Sequence, residues 1–346
     1  MNITYSFIIP VYNRPIEIKE LLESMQELRF NDPFEVVIVE DGSSDPSEDI
    51  VEQFTDVLSI SYYKKPNSGP GDSRNFGMKK AKGNYFLILD SDVILPPYYL
   101  TEVDKALKQH FVHCFGGPDA AHGDFSPVQK AINYSMTSLL TTGGIRGGKN
   151  QVGKFQPRSF NMGLSKEAFE VSGGFGRIHP GEDPDLALRL QKCGFDTALF
   201  PEAYVYHKRR IDWNKFYLQV YKFGLVRPIL NKWHPDTAKI TFWFPTVFSA
   251  GAIISVLLLL LGWPLLFNLY LLYLLAVFVH SLVLNTSVKI AAYSVWAVLV
   301  QFFGYGLGFC RSTCYLRFFN EAPEKRFPSL FFQNGKKTED LNQEPV

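Results

Sequence analysis

Between residues 242 and 310 the chain carries one formal charge, Lys289, and that stretch limits every fold the rest can join. Residues 242–261 and 264–284 are two uncharged apolar runs, each about 20 residues, the length that spans a bilayer's hydrocarbon. Residues 290–310 form a third, interrupted by Gln301 and by Gly304, Gly306 and Gly308. A buried helix of a soluble protein explains one such run; three in succession predict a membrane region of three embedded helices. Upstream, residues 208–239 hold eight Lys/Arg against two Asp, interleaved with Trp213, Phe216, Tyr217, Tyr221, Phe223 and Trp233. That mixture reads, over 213–241, as an interfacial segment on an anionic leaflet. Residues 311–346 read as a polar tail.

Residues 1–212 look different, and have the composition of an ordinary α/β domain. The start, MNITYSFIIPVYNRP, lacks a basic leader and its apolar run stops at Pro10, so it does not read as a signal peptide. With the basic segment just before the first run, this predicts a multi-pass protein of the cell (inner) membrane, its N-terminal domain in the cytosol. The first run then exits near Gly262-Trp263-Pro264 and the second returns. The modest basic excess of Arg311, Arg317, Lys325 and Arg326 leans the tail to the cytosol, with the third segment not crossing fully; its glycines, Gln301 and Tyr305 suit a re-entrant or interfacial course. A net charge of +1 gives no field for nucleic acid. Four cysteines without CxxC spacing give neither a disulfide framework nor a zinc site.

Strand and helix signals alternate through this domain. Residues 34–39 (FEVVIV) and 85–89 (YFLIL) read as buried strands, and 60–64 as another. Residues 16–28, 48–54, 73–82, 165–171 and 184–192 read as helices, the last two ended by Gly173-Gly174 and Gly194. Few hairpin signals intervene, so the sheet should be mostly parallel and covered on both faces. Ligands bind such sheets at the carboxyl ends of strands. The polar clusters at 10–14, 41–45 and 90–92 all follow strands and should share one rim. Residues 113–160 give no clear element, and 141–150 (TTGGIRGGKN) read as a loop.

Three acidic clusters carry chemistry. In Asp90-Ser91-Asp92 the carboxylates at i and i+2 of an extended segment point the same way and can reach one hard cation; an Asp-rich turn would look the same. Asp41, after its strand, either makes a plain Asx turn or accepts a hydrogen bond from a base or ribose. In Gly181-Glu182-Asp183-Pro184-Asp185, Asp183 suits an N-cap, Pro184 the first helical position, and Asp185 a pair with Arg189. Facing a cleft, Asp183 can also serve as a general base toward a sugar hydroxyl. His207 is a further candidate metal ligand, and the Lys208-Arg209-Arg210 run either a solvated face or a phosphate clamp. No Walker A motif and no Ser-His-Asp or Cys-His set is evident.

Together, FIIPVYNR, VIVEDGSSD, NSGPGDSRNFGMKKAKGNYFLILDSD, NMGLSKEAFEVSGGF and GEDPDLALRL occur in the order and spacing of family 2 inverting glycosyltransferases, and residues 4–210 resemble that family. The resemblance implies a GT-A fold, a Rossmann-like α/β arrangement, here with a C-terminal helical membrane region. It implies that Pro10, Tyr12 and Asp41 line the nucleoside pocket, that Arg74 approaches the base or diphosphate, and that Asp90 lies near ribose and metal. Asp92 would be the principal ligand of Mn²⁺ or Mg²⁺, joined by His207 as in part of the family. Asp183 would be the catalytic base, with Asn161, Met162 and Glu182 on the acceptor side. Donors would be UDP-, GDP- or dTDP-sugars; the membrane setting resembles polysaccharide-assembly enzymes acting on polyprenyl-linked acceptors. Processive synthases of the superfamily carry QxxRW before their later helices; Arg209-Arg210-Ile211-Asp212-Trp213 lacks it, which favours single transfer. A processive synthase and a non-enzymatic nucleotide-binding scaffold are the alternatives.

Overall fold

The computed structural model describes residues 2–120, 125–142, 155–207, 212–319 and 321–332, without the side chains of Ala120 and His207. The chain divides into two compact units. The boundaries differ from those drawn from composition. One unit takes in the chain to about 122, 154–208 and the segment from Phe327 onward; the other takes in 123–153 and 209–326.

The first unit begins β1 (Tyr5–Val11), α1 (Pro15–Gln26), β2 (Glu35–Asp41), α2 (Glu48–Glu52), β3 (Ile60–Lys65), α3 (Pro70–Lys80) and β4 (Tyr85–Leu89). It continues through β5 (Val93–Ile94), α4 (Tyr99–Gln109), β6 (Cys114–Gly116) and β7 (Asp119–Ala120). After α5 (Pro127–Thr137) and α6 (Leu139–Thr142) of the other unit come β8 (Asn161–Ser165), α7 (Lys166–Ser172), α8 (Glu182–Lys192), β9 (Thr197–Leu199) and β10 (Val205–His207).

Among the described residues the main sheet has seven strands in the order β3-β2-β1-β4-β8-β6-β9. The first four are mutually parallel and β8 runs antiparallel between β4 and β6. Alternation along the strands supplies both faces, because successive side chains point opposite ways. Phe7, Ile9, Val36, Ile38, Leu87 and Leu89 pack with α1 and α4, while Ile8, Val37, Val39, Phe86 and Ile88 pack with α3, α7 and α8. Burial on both sides explains why residues 36–39 (VVIV) and 85–89 (YFLIL) are continuous apolar runs.

α7 begins where the Ser165 hydroxyl accepts from the Ala168 amide, and ends on Gly173 in the left-handed region, as its sequence predicts. α8 begins two residues earlier than its sequence predicts. Gly181, at φ 119°, takes the cap position, so Asp183 sits inside the first turn instead of capping it. The Asp185–Arg189 pair forms at 2.9 Å.

The second unit adds α9 (Trp213–Trp233), α10 (Phe244–Leu260), α11 (Leu265–Asn285), α12 (Val288–Phe318) and α13 (Pro323–Arg326) to α5 and α6. Among the described residues three helices are long and apolar enough to cross a membrane, spanning Ile240–Leu260, Leu265–Asn285 and Val288–Phe318. The glycines of α12 do not interrupt it. Gly308 lies against the Tyr221 carbonyl of α9, Gly304 against Val220, and Gly306 against the Pro245 carbonyl of α10, so missing side chains let backbones approach. α5, in the stretch with no clear sequence signal, is fixed by a Ser126–Gln129 capping box and by the Tyr134 hydroxyl, 2.8 Å from His280 Nδ1. Of the loop read at 141–150, Thr141 and Thr142 end α6 and the remainder lies outside the described residues, as does the Lys208-Arg209-Arg210 run.

Candidate active site

The carboxyl ends of β1, β2, β3 and β4 lie side by side and bring the polar clusters together. Asn13, at φ 53°, accepts from the Ser44 and Asp45 amides at 2.8 and 3.1 Å and so pins the loop after β2 to the end of β1. Gly42 turns that loop at φ 74°, where a Cβ would stand 2.6 Å from the Asn67 amide nitrogen. The Asp41 carboxylate is buried and held by Lys65 Nζ at 2.6 Å and by the amides of Ser68 and Gly69, each at 2.9 Å. Pro10 is half-buried and Tyr12 exposed on the same rim.

Asp90 and Asp92 follow β4. Arg74 Nη2 lies 2.8 Å from Asp90, and Arg14 pairs with Asp92. β5 pairs with β10 so that His207 stands opposite Val93, the residue after Asp92. Among the described residues no three His, Cys, Asp or Glu side chains are already gathered as a metal cage. Two carboxylates at one strand end, with His207 in backbone register beside them, are nevertheless residue types that fit Mn²⁺ or Mg²⁺. Both carboxylates already face a cationic guanidinium, so the place is built to hold positive charge.

Arg74 reaches further. It is buried, and its Nη1 lies 3.2 Å from Glu182 Oε1, which is in turn 2.9 Å from His179 Nδ1. One arginine therefore ties the end of β4 to the start of α8. Burial pushes Glu182 toward protonation, but His179 and Arg74 outweigh it and hold the carboxyl well below its usual range. Asp183, next along, goes the other way. Burial and then the neighbouring Glu182 charge raise it to about 6, against the opposing pull of Arg74 and Arg158. Its Oδ1 is sealed from solvent and has no hydrogen-bond partner. An orphaned carboxylate oxygen with a pKa near neutrality is poised to take a proton.

Residues 6–172 match the Glycosyl transferase family 2 model. The chain carries a family 2 glycosyltransferase domain. It is 35% identical over 109 residues to the poly(ribitol-phosphate) beta-N-acetylglucosaminyltransferase TarS of Staphylococcus aureus, covering 31% of this chain and 19% of that protein. To the pre-mycofactocin glycosyltransferase of Mycobacterium tuberculosis it is 25% identical over 282 residues, covering 74% of this chain and 52% of the relative. The chain thus spans about half or less of the length of these curated relatives. Among solved structures, the mannosyltransferase PcManGT from Pyrobaculum calidifontis, in complex with GDP-Man and Mn²⁺, aligns with a TM-score of 0.58 at 16% identity, over 92% of this chain and 88% of that one. The fold is that of GT-A glycosyltransferases.

Within the family 2 domain two acceptor-side expectations need correction. Asn161 is fully buried, accepting from the Tyr99 hydroxyl and donating to the Ala203 carbonyl, each at 2.7 Å. Met162 is fully buried in the core. Both side chains are spent on the fold. The guanidinium of Arg74, expected near the base or diphosphate, is engaged by Asp90 and Glu182. Lys65, Arg14 and His179 were not singled out in the sequence. A lysine ending a strand beside an acidic strand end, as Lys65 pairs with Asp41 in register, is a signal that could have found the first.

Proposed function

We propose that this chain is a membrane-anchored, inverting, metal-dependent glycosyltransferase that moves one sugar from a nucleotide-diphosphate sugar to a lipid-linked acceptor. The observation that carries the reading is Asp183. An unpartnered, buried carboxylate oxygen adjoins an arginine that is bonded, on its other side, to the acidic end of β4.

Asp41, fixed by Lys65 and two amides, offers a rigid acceptor at the nucleoside end, with Pro10 and Tyr12 beside it. Asp90, Asp92 and His207 would hold the divalent cation, which supplies positive charge to the departing diphosphate. Asp183 takes the proton from the acceptor hydroxyl, and that oxygen attacks the anomeric carbon from the face opposite the leaving group. A single displacement inverts the configuration. Glu182, kept ionised, raises Asp183 into its working range and, with Arg74, sets it relative to the donor. The apolar helices hold the domain at the bilayer, where a polyprenyl-type acceptor resides, with the catalytic unit in the cytosol.

The test uses the purified protein in lipid with UDP-, GDP- and dTDP-sugars, Mn²⁺ or Mg²⁺, and a polyprenyl-phosphate-type acceptor. One donor should release nucleotide only when acceptor is present; EDTA should stop release and added metal restore it. The product should carry one sugar with inverted anomeric configuration by NMR. Retention, or full activity in EDTA, contradicts the mechanism. A ladder of sugars points to the processive alternative, and nucleotide binding without transfer to the scaffold.

A further inference from the structure

Past the apolar helices the chain returns to the catalytic unit. Phe327, Leu330 and Phe331 are buried, although they belong to a stretch whose composition reads as polar tail. Leu330 accepts from the His179 amide at 2.8 Å, the Phe332 amide donates to the Arg177 carbonyl at 3.1 Å, and Phe331 bridges Ile178 antiparallel. On the other side Asn75 of α3 exchanges two hydrogen bonds with Phe175, at 2.9 and 2.8 Å. The segment leading into α8 is thus clamped between α3 and residues 327–332. The Phe332 ring lies directly on Gly69, where a Cβ would stand 2.3 Å from ring carbons. Gly69 is one of the two residues whose amides hold Asp41. Phe332 therefore touches the loop that fixes the nucleoside-end carboxylate and is bonded to the segment that carries His179, Glu182 and Asp183.

A chain that leaves a body on one side of a membrane and rejoins that body has crossed an even number of times. Three candidate spans lie between. α12 is the one whose contacts set it apart. Along its length Ser294 meets Ser281 at 2.7 Å, Phe302 meets Phe248 at 4.8 Å, Gly306 meets Pro245, and Phe309 meets Trp243 at 5.0 Å. From Ser294 to Phe309 α12 advances about 22 Å. These partners lie in or just before the first turns of α10 and in the last turns of α11. These contacts are the ones a helix makes when it crosses the open end of the α10–α11 hairpin. Half of the apolar window of α12 (50%) is buried inside the protein, against 11% for each of the other two.

We propose that residues 327–332 are a strap that positions the base-bearing segment against the donor loop, and that the chain crosses the bilayer twice, by α10 and α11, with α12 at the membrane surface. The strap's catalytic role rests on the function proposed above; the crossing number does not.

Two experiments on the full chain test this. In a background with the four native cysteines replaced, Trp263→Cys and Val346→Cys are probed in sealed cells with an impermeant maleimide. Trp263→Cys should label at once and Val346→Cys only after permeabilisation; labelling of Val346→Cys from outside, or none of Trp263→Cys, overturns the two-crossing course. For the strap, hydrogen exchange over residues 175–183 is compared in the unaltered protein, Phe332→Ala and Phe332→Tyr. Exchange should quicken in Phe332→Ala and stay normal in Phe332→Tyr, a readout that needs no transferase activity. Transfer by Phe332→Ala should lose about tenfold in kcat with donor KM within about twofold, its acid limb displaced. Unchanged exchange and kcat in Phe332→Ala would remove the strap from the mechanism.

Discussion

Asp183 combines two properties that oppose each other. Burial and the Glu182 charge raise its folded pKa to about 6, above the ordinary aspartate value. The folded state therefore holds the proton more tightly than the unfolded chain, and stability falls as pH rises from the unfolded value through about 6. At neutral pH the ionised group is a liability to the fold and, in the proposed role of base, an asset to the chemistry. Asp183→Asn should cut transfer by about 10²–10⁴-fold while donor binding persists. The same change should stabilise the protein at pH 7 by on the order of 1–3 kcal/mol, read as a raised Tm. With Asp183 as the proposed base, kcat of the unaltered protein should climb with pH through about 6, since a base works ionised. Glu182→Gln removes the charge that is the second cause of the shift. Its acid limb should move to lower pH, and an unmoved limb would mean that burial by itself sets the value.

At the scale of elements, what the sequence disclosed follows how local each signal is. β2 and β4 were readable because both faces of their sheet are buried, which leaves four apolar residues in a row in β2 and five in β4. α7 was readable because Ser165 and Gly173 mark its ends. The start of α8 was misplaced because Asp183 and Pro184 resemble a cap and first residue, whereas the turn needs the positive φ that Gly181 supplies. Likewise the acidic clusters of the candidate site stand out in the sequence, since two carboxylates one residue apart declare themselves. Arg14 on Asp92 and His179 on Glu182 do not, because those pairs depend on tertiary approach. Asn161 and Met162 show the reverse error: a motif matched, yet the packing of β8 turned both side chains inward. The glycines of α12 were legible as unusual but not as contacts. Gly308→Val would drive a side chain toward the Tyr221 carbonyl, 2.3 Å from its Cβ position. It should cost about 1–3 kcal/mol, measured as a lower Tm in detergent, with little effect on donor KM.

For the whole molecule, the question is what the three long apolar helices would contribute to the proposed catalysis. α10 and α11 make no visible chemical contribution, and most of their apolar surface lies open. If the acceptor is a polyprenyl-type lipid, confining enzyme and acceptor to one bilayer replaces a search through bulk water with one across a thin layer, and effective concentration rises accordingly. Such a gain acts on encounter and binding, equally for ground and transition states, so it belongs in KM. Shortening the acceptor's hydrocarbon chain until it partitions into water should therefore raise acceptor KM by more than about tenfold, with kcat nearly constant. If the rim around Asp41 and Asp92 holds the donor as proposed, donor KM should not change with chain length. Measuring both constants in vesicles across a series of acceptor lengths checks this. A kcat that falls with chain length while KM holds would show that the hydrocarbon is gripped in the transition state, and that the membrane unit takes part in positioning the acceptor beyond retaining it.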